Sequence, residues 1–101
     1  MNEKPVYLID AANFDTFAGF IEECNRSFIR PFGGEWGGNL DGFNDYLYWS
    51  KPKISEYVLV WRGAEKSRQD FERESGEPGR RLYHTLVEII RDQEHVELQL
   101  E

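Results

Sequence analysis

Cysteine is almost missing from this chain of 101 residues: Cys24 stands alone, so no intrachain disulfide can form and the fold must rest on its core. A reducing compartment suits such a chain, and the cytoplasm is the expected location. Long hydrophobic runs are missing too. Nowhere do about eighteen apolar residues follow one another, as a membrane helix needs, and Met1-Asn2-Glu3-Lys4-Pro5 has neither the basic start nor the apolar stretch of an export signal. Neither membrane insertion nor export is expected. Histidine is scarce. His84 sits among Arg81, Leu82 and Tyr83 and reads as a helix-surface residue, while His95 directly precedes the last strand and reads as structural. There is no HExxH, CxxC or GxxxxGK[ST], so the side-chain sets that would make an enzyme, hold a metal or bind a nucleotide are not in view. Gly33-Gly34 and Gly37-Gly38 do not form a phosphate cradle, since Glu35 lies between them and no lysine follows. Positive charge is short as well: 12 Lys and Arg against 19 Asp and Glu leave a net charge of −7, which repels phosphate backbones and argues against nucleic acid as the partner.

What is present suffices for a core. Apolar residues make up 40% of the chain and aromatics 15%, enough to bury despite 31% charged residues, and the length fits one domain over residues 1–101. Val6-Tyr7-Leu8-Ile9 reads as a buried first strand. A helix follows, capped by Asn13 or Asp15, with Phe14, Phe17, Phe20, Ile21, Cys24 and Phe28 at helical spacing. That stripe is core, and Cys24 within it is a small buried hydrophobe rather than a reactive thiol. Tyr57-Val58-Leu59-Val60-Trp61 is a second, central strand, with Trp61 in the core. A polar helix over about Ala64–Arg73 ends at the Gly76, Pro78 and Gly79 cluster, and Leu82, Leu86, Ile89 and Ile90 mark a longer amphipathic helix. Val96, Leu98 and Leu100 then alternate with Glu97 and Gln99 as a strand with one face buried. The order β-α-α-β-α-α-β predicts an α/β fold, a small three-stranded parallel sheet with about four helices packed against it.

The segment between the first helix and Pro52 carries the functional signal. Pro31-Phe32-Gly33-Gly34-Glu35-Trp36-Gly37-Gly38 is a glycine-rich loop, and Asn39 caps a short helix that runs to about Trp49, where Pro52 enforces a break. Asp41 and Asp45 then lie four residues apart on one helix face, opposing each other by a few tenths of a kcal/mol. Asp41 gains from the helix dipole; Asp45, a turn further on, does not. Gly42 costs the helix up to about 1 kcal/mol, and its small size lets another surface approach closely. Residues 31–50 hold three acids and no base, whereas 51–92 hold eight acids and nine bases. Together with Trp36 and Trp49 at its borders, the segment reads as an anion-presenting binding surface. Asp41, Asp45 and Glu88 lack the dense spacing of a dedicated cation site, and no metal or other cofactor is expected.

From Gly37 through Asp45 the chain resembles the barstar family of intracellular ribonuclease inhibitors, matching a Gly-x-Asn-Leu-Asp-x-φ-x-Asp pattern, where φ is apolar. The strand Tyr57–Trp61 with its Trp61-Arg62 exit and the final helix and strand are similar too. The resemblance implies a three-stranded parallel sheet, no enzymatic activity, and an acidic loop-helix that enters the basic active site of a secreted microbial-type ribonuclease in place of RNA phosphates. It implies Asp45 as central anchor, Asp41 as partner to a second cation, Asn39 and Gly37 around the loop, Tyr48 and Trp49 bordering the patch, and Glu88 as a peripheral contact. Glu35-Trp36 stands where the family places a tyrosine pair, and Asn44 where it places a helix tryptophan, which implies a cognate nuclease other than barnase. The complex is expected to be one-to-one and the free chain monomeric. The competing reading is an acidic module of the same fold that regulates a basic partner other than a nuclease.

Overall fold

A computed structural model describes residues 4–49 and 56–101. The elements run β1 (Val6–Asp10), a 3-10 turn (Ala11–Asn13), α1 (Phe17–Cys24), a π-helical turn (Asn25–Ile29), α2 (Leu40–Trp49), β2 (Tyr57–Arg62), α3 (Ala64–Ser75), α4 (Glu77–Arg91) and β3 (Val96–Leu100). The three strands form one parallel sheet in the order β1-β2-β3, with Leu8 opposite Val60 and Leu59 opposite Leu98. The small parallel sheet and four helices are those the element order predicts.

Burial along β2 alternates. Tyr57, Leu59 and Trp61 are fully buried under the helices, while Val58 and Val60 on the opposite face are half-buried. Helices therefore cover one face of the sheet far better than the other. β1 is an edge strand, and Val6 is 62% exposed rather than buried as its apolar run suggests; neighbours on one side only cannot cover a terminal valine.

An aromatic cluster fills the centre. Phe20 stacks on Trp61 at a centroid distance of 4.9 Å and meets Phe71 and Trp36 edge-on at 5.6 and 6.0 Å, geometries favoured by the ring quadrupoles. Cys24 is fully buried in this core, the place of the small hydrophobe expected, and burial pushes its thiol well above the ordinary value.

Three local expectations need correction. The cap of α1 is Thr16, whose Oγ1 accepts from the Gly19 N–H at 3.0 Å, because Asn13 is taken into the 3-10 turn and donates to Glu23 instead. The polar helix α3 continues to Ser75, and the Gly76-to-Gly79 cluster is the start of α4 rather than a loop. Pro78 fits the first turn, where no N–H partner is needed, and Gly79 is buried against the Phe71 carbonyl, where no side chain would fit. The break assigned to Pro52 lies outside the described residues.

Candidate functional site

The acidic helix is built from its N-terminus upward. Asn39 Oδ1 accepts from the Gly42 N–H at 3.1 Å, and the Asn39 carbonyl accepts from Phe43 N–H at 2.9 Å, which starts α2 where the cap predicts. Phe43 and Leu47 are fully buried, and this apolar edge fixes the rotation of the helix. Asp41 and Asp45 consequently face solvent, about 6 Å apart along the axis. Among the described residues neither carries an ion pair or a side-chain hydrogen bond.

Most other acids outside α2 are engaged. Glu22 and Glu35 share Arg30, Glu65 and Glu72 share Arg68, and Glu77 meets Arg81. Hydrogen bonds from Arg30 hold the Glu22 and Glu35 carboxyls below the usual carboxylate range. Two acids are buried outright. Glu23 accepts from the Asp10 N–H at 3.0 Å, from Asn13 and from Arg26, joining the end of β1 to α1. Asp70 accepts from Lys66 at 2.6 Å and Arg73 at 2.7 Å; burial alone would raise its pKa, but those bonds and charges bring it below the ordinary value. A shallow cleft at Asn13, Phe14, Asp15, Lys66, Asp70 and Arg73 thus holds an ion cluster that is already balanced.

The loop before α2 is held from several sides. The side chain of Asn25, 2% exposed, accepts from the Trp36 N–H at 2.7 Å and donates to the Trp36 carbonyl at 2.9 Å. Tyr46 Oη donates to the Glu35 carbonyl at 2.6 Å, and the Trp36 indole N–H donates to the Asn39 carbonyl at 2.7 Å. Gly38 has φ +103°, a conformation that side chains resist, and a Cβ there would lie 2.7 Å from Ile21 Cδ1. Gly37 is different, with open space all round its Cβ position. At Gly42 a Cβ would meet Trp36 Cδ1 at an ordinary 3.6 Å, so the fold itself does not require glycine there either.

The remaining expected site residues divide. Trp36, expected on the partner-facing border, is 2% exposed with its ring 4.6 Å from Phe43; its side chain belongs to the core, because the Asn25 clamp turns it inward. Glu35, Gly37, Asn39, Asn44 and Tyr48 are exposed along the loop and helix. Asn44 is held by Gln93, which donates to its Oδ1 at 2.7 Å from beyond α4. Glu88 is exposed on α4, the helix that packs against α2. The Trp49 side chain lies outside the described residues. His95 is buried, with its ring Nε2 2.8 Å from the Leu47 carbonyl, in the structural place expected of it. Sequence reasoning missed Asn25, Tyr46 and Gln93 as supports. A polar residue inside an apolar stripe, as Asn25 is, was the one available signal.

Among the described residues no group of three or more His, Cys, Asp or Glu is placed to hold a metal ion, and no helix is long and apolar enough to cross a membrane. The architecture is that of a small parallel α/β protein with an unpaired acidic helix face beside a pinned glycine loop. A family model described as Barstar (barnase inhibitor) matches residues 5–100, and the chain belongs to the barstar family. No curated protein and no solved structure matches it.

Proposed function

We propose that this chain is a single-domain immunity protein that inhibits a secreted ribonuclease of barnase-like or related microbial type, binding it one-to-one as a monomer in the cytoplasm and catalysing nothing itself. The barstar family is described as barnase inhibitors, which points to the partner class. The observation that carries the reading is the state of Asp41 and Asp45, two exposed carboxylates on one helix face that meet no cation among the described residues, whereas the acids of the preceding and following helices are largely paired with arginine or lysine.

A ribonuclease stabilises a developing phosphorane and must gather cations round the scissile phosphate. Carboxylates fixed on a helix occupy those positions and offer no bond to cleave. Asp45 is the central anchor, Asp41 meets a second cation, and Glu35, Gly37, Asn39, Asn44, Tyr48, Trp49 and Glu88 surround them, with Trp36 acting from below. Leaving two like charges unpaired costs the free chain a few tenths of a kcal/mol, which binding to a basic partner recovers.

The test is stoichiometric inhibition of RNA cleavage by a panel of barnase-type ribonucleases, with wild type, Asp45→Ala and the distal control Glu72→Ala. Asp45→Ala is expected to weaken the complex by at least ~2 kcal/mol and Glu72→Ala by less than ~0.5 kcal/mol. Equal small losses at both positions would remove the assignment.

A further inference from the structure

We infer that Asn25 is the positioning residue of the inhibitory loop, and that it acts by clamping the Trp36 peptide from inside the core. The inference rests on the inhibitory reading for its consequence in binding, but its structural half stands alone.

At the π-helical turn that begins at Asn25 the chain leaves α-helical spacing while Phe28 and Ile29 stay in the core; the Arg30 N–H bonds to the Asn25 carbonyl at 2.9 Å, five residues back. Asn25 is 2% exposed, beside the core residues Cys24, Phe28 and Ile29. An amide there needs both donor and acceptor satisfied, because a buried polar group without partners is costly. Both are supplied by the N–H and carbonyl of one residue, Trp36. The arrangement fixes the plane and direction of that peptide. Trp36 is in turn joined to the α2 cap through its indole N–H and the Asn39 carbonyl, and to α2 itself through Phe43. A continuous path therefore runs from α1 through Asn25, Trp36 and Asn39 to the helix bearing Asp41 and Asp45. Tyr46 makes a second hold, one residue earlier, on the Glu35 carbonyl.

A loop rich in glycine has many conformations to lose on binding, and a partner that accepts one of them associates in proportion to its population. The clamp makes that population high before the ribonuclease arrives. Its loss lowers apparent affinity chiefly through association, with every contact residue still present.

The experiment compares wild type, Asn25→Asp and Tyr46→Phe by amide hydrogen exchange on the free chain and by association kinetics with the ribonuclease of the panel that wild type inhibits most strongly. Aspartate has the shape of asparagine and keeps the acceptor, but its carboxylate cannot donate to the Trp36 carbonyl. At pH 7.5, Asn25→Asp is expected to speed exchange at the Trp36 amide at least tenfold more than at Leu59 in the central strand, and to slow association roughly tenfold. As pH is lowered the buried acid takes up a proton, regains a donor, and Trp36 protection returns once intrinsic exchange is corrected for. A merely structural loss of stability would raise both amides together. Should Asn25→Asp fail to fold, wild type keeps the test decisive, for the Trp36 amide is expected to exchange far more slowly than the exposed Gly37 amide, while Tyr46→Phe measures the separate hold on the Glu35 carbonyl. Wild-type protection at Trp36 in Asn25→Asp, or a Trp36 amide that exchanges in wild type as freely as that of Gly37, overturns the clamp. If wild type fails to inhibit barnase and the rest of the ribonuclease panel, the inhibitory reading falls, while the exchange data still decide whether Asn25 sets the loop.

Discussion

Two adjacent glycines, Gly37 and Gly38, offer a test in which folding and binding are expected to move in opposite directions. At Gly38 the backbone has φ +103°, and an added methyl would lie 2.7 Å from Ile21 Cδ1. Gly38→Ala therefore costs about 1–3 kcal/mol through backbone strain, with displacement of Ile21 added. At Gly37 nothing lies within 4 Å of a Cβ, and φ is not positive. Gly37→Ala removes freedom from the unfolded chain without strain in the folded one, which stabilises by about 0.4–1 kcal/mol. In a domain of this size that raises the melting temperature by a few degrees, at about 4–8 °C per kcal/mol. The proposed complex reverses the sign. A methyl interposed between closely packed surfaces costs about 1–3 kcal/mol, so Gly37→Ala should bind its ribonuclease roughly tenfold less tightly while melting higher. Urea unfolding and an inhibition titration on the same preparations check both halves. A lower unfolding midpoint for Gly37→Ala would show that the fold needs this glycine after all. A higher midpoint with unchanged affinity would place Gly37 outside the contact.

Raising salt from about 50 to 500 mM should slow association with a basic ribonuclease at least roughly tenfold and change dissociation far less, because screening acts on the approach of exposed charges; stopped-flow kinetics would show it, and a salt-independent on-rate would contradict the acidic-surface reading. Gly79→Ala should destabilise the chain by at least ~2 kcal/mol in urea, since the methyl would collide with the Phe71 carbonyl where α3 and α4 cross. Asp70→Asn should cost about 1–3 kcal/mol at pH 7, measured by denaturation, as Lys66 and Arg73 lose a buried partner. The folded pKa of Asp70 lies below its unfolded value, so its contribution is fully present above the unfolded pKa of about 4 and is lost as pH falls through the folded pKa; the gap between Asp70→Asn and wild type should narrow as pH falls below the unfolded value.

The sheet and the helix count were legible because they rest on periodicity, which a single chain displays. Leu59 between Tyr57 and Trp61 announces a central strand, and Leu82, Leu86, Ile89 and Ile90 announce α4. The cap of α2 was legible for a similar reason, since Asn39 acts on a neighbour three residues away. Trp36 was misplaced because its orientation depends on Asn25, eleven residues back, and no local pattern encodes that pairing. The start of α4 was misread because proline and glycine mark turns on average, whereas here Pro78 suits a first helical turn and Gly79 answers a helix crossing. The exposure of Val6 depended on strand order, which the sequence of elements leaves open.

The distribution of ion pairs ties these points together. Arg30 and Arg68 each take two acids, and Asp70 takes two cations, so among the described residues most bases are paired with the chain's own acids. Two aspartates on an exposed helix four residues from each other oppose one another, and a lysine at position 45, facing Asp41 in the first turn, would serve the free chain better. Next to them, Gly37 and Gly42 occupy sites where the fold accepts a larger side chain. Each choice leaves stability unclaimed in the free protein, and they fall together on one loop and one helix. Beneath that surface Asn25, Tyr46 and Asn39 place buried or backbone hydrogen bonds where they hold the same segment still. A segment kept rigid from below and left electrostatically unsatisfied from above is what a partner with a concave basic site requires. The two properties have to coincide, because a loose acidic loop would lose in ordering entropy what its charges gain.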